Sequence, residues 1–371
     1  MSRFLRLVFL ASILLVLSSP LTAQTSTFEE WAVPTPMAFP LHLVGATNTL
    51  VYFTEPASDK VGQLDTSTGN FTEWQLPIGT QPHGVVSSSG MMVICGINFN
   101  FLGILNPATS TGTAYFFPTP NSGPSHLDIY GSSYFVSESN GNRIGLLTPS
   151  SPASVMEWTV PTPNSQPFGI AVGSGTQVFF IERAVQKLGM LDISTNMFTE
   201  WSLAPLKEVE HLRFSQGLVY FGDAQSSALA MFNPATNTLT IWTAPTTNAA
   251  IPDVFVTPSG EVNFTERFGN KIGLLNPAMG GGTTETPTPV TTMVSPTKKK
   301  ATQLPGTLTP QRHTVMPTLT TNVNGVITGG LTEWAVPTAN TQPVGIFLSG
   351  GTVFFTEYAG DKIGTMTTPD F

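Results

Sequence analysis

The chain has 371 residues, of which only 10% are charged, and carries 34 Gly, 31 Pro, 25 Phe and a formal net charge of −8. An acidic balance this weakly charged argues against nucleic acid or an anionic membrane surface as the partner, and the single cysteine, Cys95, rules out an internal disulfide. Length alone predicts two or three domains, a prior that an internal repeat overrides.

In chain order, Arg3 and Arg6 precede an apolar run over residues 7–17, and Leu21-Thr22-Ala23 ends in a small residue. This is the pattern of a secretory signal peptide over residues 1–23; the run is short for a membrane span, and a signal anchor is the alternative. Its removal takes the charge from −8 to −10 with the loss of Arg3 and Arg6. The expectation is a secreted or periplasmic protein with no membrane span after processing.

From residue 28 onward one phrase recurs. All six tryptophans occupy the same slot of it, Glu-Trp-x-x-Pro in its cleanest copies: Trp31, Trp74, Trp158, Trp201, Trp242 and Trp334, with Tyr115 filling the empty slot. Successive spacings are 43, 41, 43, 43 and 41 residues, then one gap of 92. A period of about 40 to 45 residues with four short strands per unit predicts a β-propeller. Within each unit strand A follows a proline (Pro82-His83-Gly84) and strand B is a short apolar run ending in an acid (Phe53-Thr54-Glu55). Strand C reads Lys-Ile-Gly (Lys271-Ile272-Gly273), and strand D carries the tryptophan.

Seven sets of strands A to C begin near His42, His83, His126, Phe168, His211, Asp253 and Val344. The last lacks a strand D, while the segment 28–34 is a strand D without a blade. An unpaired edge is a liability, so the N-terminal strand is expected to complete the seventh blade. The fold class is therefore all-β: a seven-bladed propeller of four-stranded blades, one propeller over residues 24–371. The long gap falls inside blade six. Residues 277–330 are rich in Thr, Pro and Gly around Lys298-Lys299-Lys300 and too poor in large apolar residues to offset ordering entropy. A disordered insertion is expected there, with a small inserted module as the alternative.

In such blades the start of strand A and the end of strand B meet at one rim of the central channel. His42, His83, His126 and His211 all fall 12 or 13 residues before a strand-B end, and those ends read Glu55, Gly96, Glu138, Glu182, Asp223, Glu266 and Glu357. Imidazoles facing carboxylates suit a general base and a divalent cation. Five residues after five of the acids comes Lys60, Arg143, Lys187, Lys271 or Lys362, which predicts an ion pair across each B-to-C hairpin. Asp223 has Ala228 at that position and shares its blade with Glu210 and His211, so Asp223 and Glu210 are the candidate metal ligands. The tryptophans are expected as blade-to-blade packing and Cys95 as an inert semi-buried thiol.

With this phrase in view, the chain resembles the virginiamycin B (streptogramin B) lyases, which are seven-bladed propellers. The matching text is Phe-Thr-Glu followed by Asp/Asn-Lys-Ile/Val-Gly at 53–62, 264–273 and 355–364, together with the Gln-Pro-x-Gly and Glu-Trp-x-x-Pro phrases. The resemblance implies a magnesium-assisted elimination that opens an ester or lactone without water, with a histidine of the Pro-His slot taking the proton. Only His83 stands in an unaltered Pro-His-Gly phrase; His42, His126 and His211 are the further catalytic candidates. The other class of function is a non-enzymatic binding propeller that takes a small molecule, glycan, peptide or protein on its rim. In both cases the expected state is a monomer.

Overall fold

Residues 25–328 and 331–368 are described by the computed structural model; the expected signal peptide lies outside them. Seven antiparallel sheets follow one another around a central channel. In blade one the strands are Leu43–Gly45 (A), Leu50–Glu55 (B), Lys60–Asp65 (C) and Asn70–Gln75 (D). Blade seven takes Pro343–Ser349, Thr352–Glu357 and Lys362–Thr367 from the C-terminus and Thr25–Ala32 from the N-terminus as strand D, in the register Phe28↔Met366 and Trp31↔Ile363. The ring closes as the unpaired N-terminal strand requires. No helix among the described residues is long and apolar enough to cross a membrane.

The repeated phrase follows from how blades pack. Phe53, Phe180, Phe264 and Phe355 of strand B each lie over the strand-C glycine of their own blade. A Cβ on Gly62, Gly189, Gly273 or Gly364 would meet the ring at 2.0–2.2 Å. Each tryptophan then fills the space against the following blade: Trp31 of blade seven packs with Val51, Phe53, Leu64 and Phe71 of blade one. Three of the indole N–H groups donate across the same seam, Trp74 to Ser110 Oγ at 3.0 Å, Trp158 to Asn196 Oδ1 and Trp201 to Asn237 Oδ1, both at 2.9 Å. A fully buried large side chain contributes roughly 1.5–3 kcal/mol, so seven such seams supply much of the stability of a ring without disulfides. Cys95 is fully buried rather than half-buried.

The blades have five strands, not four, and the fifth comes from the segment expected to be disordered. After a short turn at Pro277–Met279, the chain lays one short strand along the outer edge of each blade in turn. Thr283–Glu285 pairs with blade five, Val290–Met293 with blade four, Thr297–Lys300 with blade three and Thr302–Thr307 with blade two. Pro310–Thr314 follows on blade one, Leu319–Asn324 on blade seven and Val326–Thr328 on blade six, where strand D resumes. The segment is a belt that circles the whole ring against the order of the blades. Its order comes from main-chain hydrogen bonds to strand-D edges that are already fixed, so it needs no apolar core of its own. This is why its composition misled.

Candidate functional site

The first residues of the seven A strands converge on the axis. His42, His126, His211 and Asp253 line an axial cavity of about 210 Å³, and His42, His83, Phe168, His211 and Val344 line a wider cavity of about 550 Å³ at one rim. Close approach is made possible by the glycine that follows the slot. Gly84 lies against the His126 backbone, Gly169 against His211 and Gly345 against His42, where a Cβ would come within 2.4–2.9 Å of a neighbouring atom. Strand-B hydroxyls fix the same main chain: Thr54 Oγ1 donates to the His83 carbonyl at 2.9 Å, Thr265 Oγ1 to that of Val344 at 2.7 Å, and Ser137 Oγ to that of Phe168.

The four candidate histidines are thereby brought into one cluster. Ring centroids are 4.7 Å apart for His42–His83, 4.9 Å for His42–His126, 4.7 Å for His83–His126, 4.5 Å for His42–His211 and 4.4 Å for His126–His211. Burial holds all four well below the ordinary histidine range, with the mutual repulsion of the rings or a nearby arginine adding to it; His83 falls to about 3. The imidazoles are therefore neutral at pH 7. His42 Nε2, His83 Nδ1 and both nitrogens of His126 are buried without a hydrogen-bond partner.

Around the rim cavity stand groups the sequence reading did not single out: Arg183, Arg267, Phe268 and Tyr358, with Gln81 and Gln342. Arg183, Arg267 and Tyr358 each directly follow a strand-B glutamate, and both glutamines directly precede a strand-A proline. That regular offset was the available signal. The Arg183 guanidinium lies 4.0 Å over the Phe168 ring and donates to Glu210 Oε1 at 3.3 Å. Burial raises the Glu210 carboxyl, opposed by the charges of Arg267 and Arg183.

The two candidate metal ligands are not brought together on the histidines. Glu210 lines the rim cavity, but Asp223 lies outside both cavities. Its carboxylate accepts the N–H groups of Lys207, Glu208 and Gln225 and the hydroxyl of Ser226 at 2.8–3.1 Å, which pins the link into strand A of its blade.

The strand-B glutamates are also placed differently from expectation. Lys60, Lys187, Lys271 and Lys362 reach across to the glutamate of strand D, meeting Glu73, Glu200, Glu333 and Glu30 at 3.1, 3.0, 2.6 and 2.6 Å. In blade three, where Arg143 takes the lysine position, Glu157 is met at 2.7 Å by Lys299 of the belt. A threonine from the preceding blade, such as Thr35 on Glu73 or Thr162 on Glu200, completes each latch. The strand-B carboxyls lie buried beside these lysine-paired glutamates. Burial first, and the adjacent carboxylate second, push Glu55, Glu138, Glu266 and Glu357 to about 8 and Glu182 to about 7.

Magnesium favours a near-octahedral set of oxygens. The cluster offers imidazole nitrogens, and the carboxylates on the two cavities are already engaged: Glu210 by Arg183, Asp253 by Arg213, and Asp128 by the main-chain N–H groups of Ile129 and Val172. The donor set does not fit that ion.

Fold and site together define a seven-bladed propeller whose axial channel is stoppered by histidines beneath a rim cavity. The profile of the virginiamycin B lyase family matches residues 21–212, and the chain belongs to that family. It is similar in structure to selenomethionine-substituted virginiamycin B lyase from Staphylococcus aureus, with 19% identity, TM-score 0.71, and coverage of 92% of this chain and 99% of that one. A streptogramin B lyase structure gives 21% identity and TM-score 0.71 over 93% and 98% of the two chains. The extracellular domain of a hybrid two-component system from B. thetaiotaomicron gives 12% identity and TM-score 0.58 over 89% of this chain and 40% of that one. Likenesses at these identities establish the fold. A comparison with curated proteins finds no match.

Proposed function

We propose that the chain is an exported lyase-type enzyme that opens an ester or lactone by elimination in the rim cavity. The observation that carries this reading is the convergence of His42, His83 and His211 with Arg183 and Arg267 on one cavity of about 550 Å³, in a chain of this family. Phe168, Phe268 and Tyr358 supply apolar walls for a small acyl compound. A neutral imidazole takes the proton next to the carbonyl, and an arginine faces the oxygen on which negative charge develops. The C–H electron pair becomes the new C=C bond, the C–O bond breaks, and the carboxylate departs with the proton returned from the imidazole. Water is not consumed. His211 is assigned the base, because it borders both cavities next to Glu210; His83 and His42 complete the wall.

The test is incubation with a cyclic depsipeptide and chromatographic detection of a ring-opened product of unchanged mass. Turnover should fall at least about 100-fold in His211→Ala, the usual scale for losing a general base. A hydrolytic product, heavier by one water, would overturn the elimination. The carboxylates beside the histidines are taken up by arginines and main-chain N–H groups, which favours a second reading, a binding propeller with the same cavity. On that reading a small acyl ligand binds, Arg183→Ala weakens it, and no substrate turns over.

A further inference from the structure

We infer that His42, His83 and His126 form a binding site for a single zinc-class cation at the inner end of the channel, with one coordination position left open toward the rim cavity. One potential ligand atom from each residue lies within 4.8 Å of the others. Zinc at 2.0–2.1 Å from three nitrogens in a tetrahedral arrangement holds them about 3.3 Å apart, so each ring has to move by under about 1 Å, within reach of small side-chain rotations. No carboxylate belongs to this group of donors.

The second observation is the unsatisfied state of the rings. Buried polar atoms without a partner are costly, and four such nitrogens fall on these three residues, one on His42, one on His83 and two on His126. Four backbone or side-chain devices hold the rings in place: the glycines Gly84 and Gly345 at the seams, the Thr54 hydroxyl on the His83 carbonyl, and the Thr54 main chain on the His42 carbonyl at 3.0 Å. Three protein nitrogens with a free position describe a catalytic rather than a structural zinc geometry. Nitrogen donors select zinc, copper or nickel over magnesium. His211 stands 4.5 Å from His42 and 4.4 Å from His126, centroid to centroid, and borders the open position.

This inference uses the cluster of the proposed lyase but not its chemistry, and the two fail separately. The full mature chain is stripped with a chelator, and ZnCl₂ and MgCl₂ are titrated in separate calorimetry runs. Zinc should bind one per chain, at least 100-fold more tightly than magnesium. His126→Ala should weaken zinc at least 100-fold, and His313→Ala, on the exposed belt, should leave it unchanged. Should His126→Ala not fold, His126→Gln and the visible spectrum of the Co²⁺-loaded wild type decide, a four-coordinate nitrogen-rich spectrum being expected. No stoichiometric zinc, zinc retained at full affinity by the His126 variant, six-coordinate Co²⁺, or magnesium bound as tightly as zinc would each overturn the site. Zinc binding without turnover keeps this site and removes the lyase; turnover by a chain that binds no zinc keeps the lyase and removes this site.

Discussion

A carboxyl buried beside a second carboxyl that is paired with a lysine is most stable with its proton on, and five blades contain that arrangement. Glu55, Glu138, Glu266 and Glu357 rise from 4.5 to about 8. Each then holds a proton in the folded chain that the unfolded chain has lost above pH ~4.5. Their contribution is complete below the unfolded value and disappears as pH rises through about 8. The channel histidines act in the opposite sense, since their lowered values make stability rise with pH, but only below the unfolded value of about 6.5. From pH 6.5 to 8.5 the carboxyls act alone. The melting temperature should therefore fall steadily across that window, each group near 8 accounting for up to about 2 kcal/mol. Glu357→Gln, which keeps the shape without the titration, should reduce the slope by its share. A flat or rising profile by calorimetry would show that these carboxyls are ionised in the fold. At this scale the sequence was half legible. Histidines in equivalent slots of a repeat had to meet on the axis, because the symmetry of the ring places equivalent residues together. Which carboxylate a lysine reaches depends on side-chain direction across the pleat, which the spacing of residues does not encode, so Lys60 was read onto Glu55 instead of Glu73.

The blade is joined to its neighbour by a threonine, a strand-D glutamate and a cation. Glu73, Glu157, Glu200, Glu333 and Glu30 each take part, with Thr35, Thr119, Thr162, Thr246 and Thr338 donating to them. Blades two and five lack the arrangement as a whole: their strand D has Ala114 or Ile241 before the aromatic slot, their strand B ends in Gly96 or Asp223, and their strand C begins with Phe101 or Ala228. The absences occur together because each member is of use only with the others. Blade three shows the same dependence, since Lys299 of the belt supplies its cation. Lys299→Ala should leave the Glu157 side chain, 1% exposed, without a counter-charge and cost roughly 1–3 kcal/mol, below the 3–5 typical of a deeply buried pair because the lysine end is partly solvated. Lys298→Ala and Lys300→Ala should cost under about 0.5 kcal/mol. Equal effects of the three in denaturant melts would mean that the latch at blade three is not formed in solution. The lysine run reads as solvated charge in the sequence because its partner lies 142 residues away.

At the scale of the whole ring, the number of blades and their closure by the N-terminal strand could be read from the repeat, whereas the belt could not. Its strands are short, exposed on most faces and interrupted by proline, yet they are rich in threonine and valine, residues that favour extended backbone. What makes them strands is the row of unpaired main-chain groups on the outer edge of each blade. A propeller with seven open edges offers seven places for another chain to pair, and the belt occupies every one from within the same molecule. The belt is also a tether: anchored at Leu275 on blade six and returning to Leu331 on the same blade, it resists any parting of the seams between blades. Replacing residues 281–328 with a short Gly-Ser turn between strands C and D of blade six should leave the channel and its histidines in place, since none of the residues lining either axial cavity comes from the belt. The shortened chain is expected to melt lower, to lose the Lys299 contact, and to associate in a concentration-dependent manner through the freed edges. Light scattering across a dilution series, set beside thermal melts of the full chain, tests both effects. A shortened chain that stayed monodisperse and melted at the original temperature would show that the four inner strands suffice and that the belt serves another purpose.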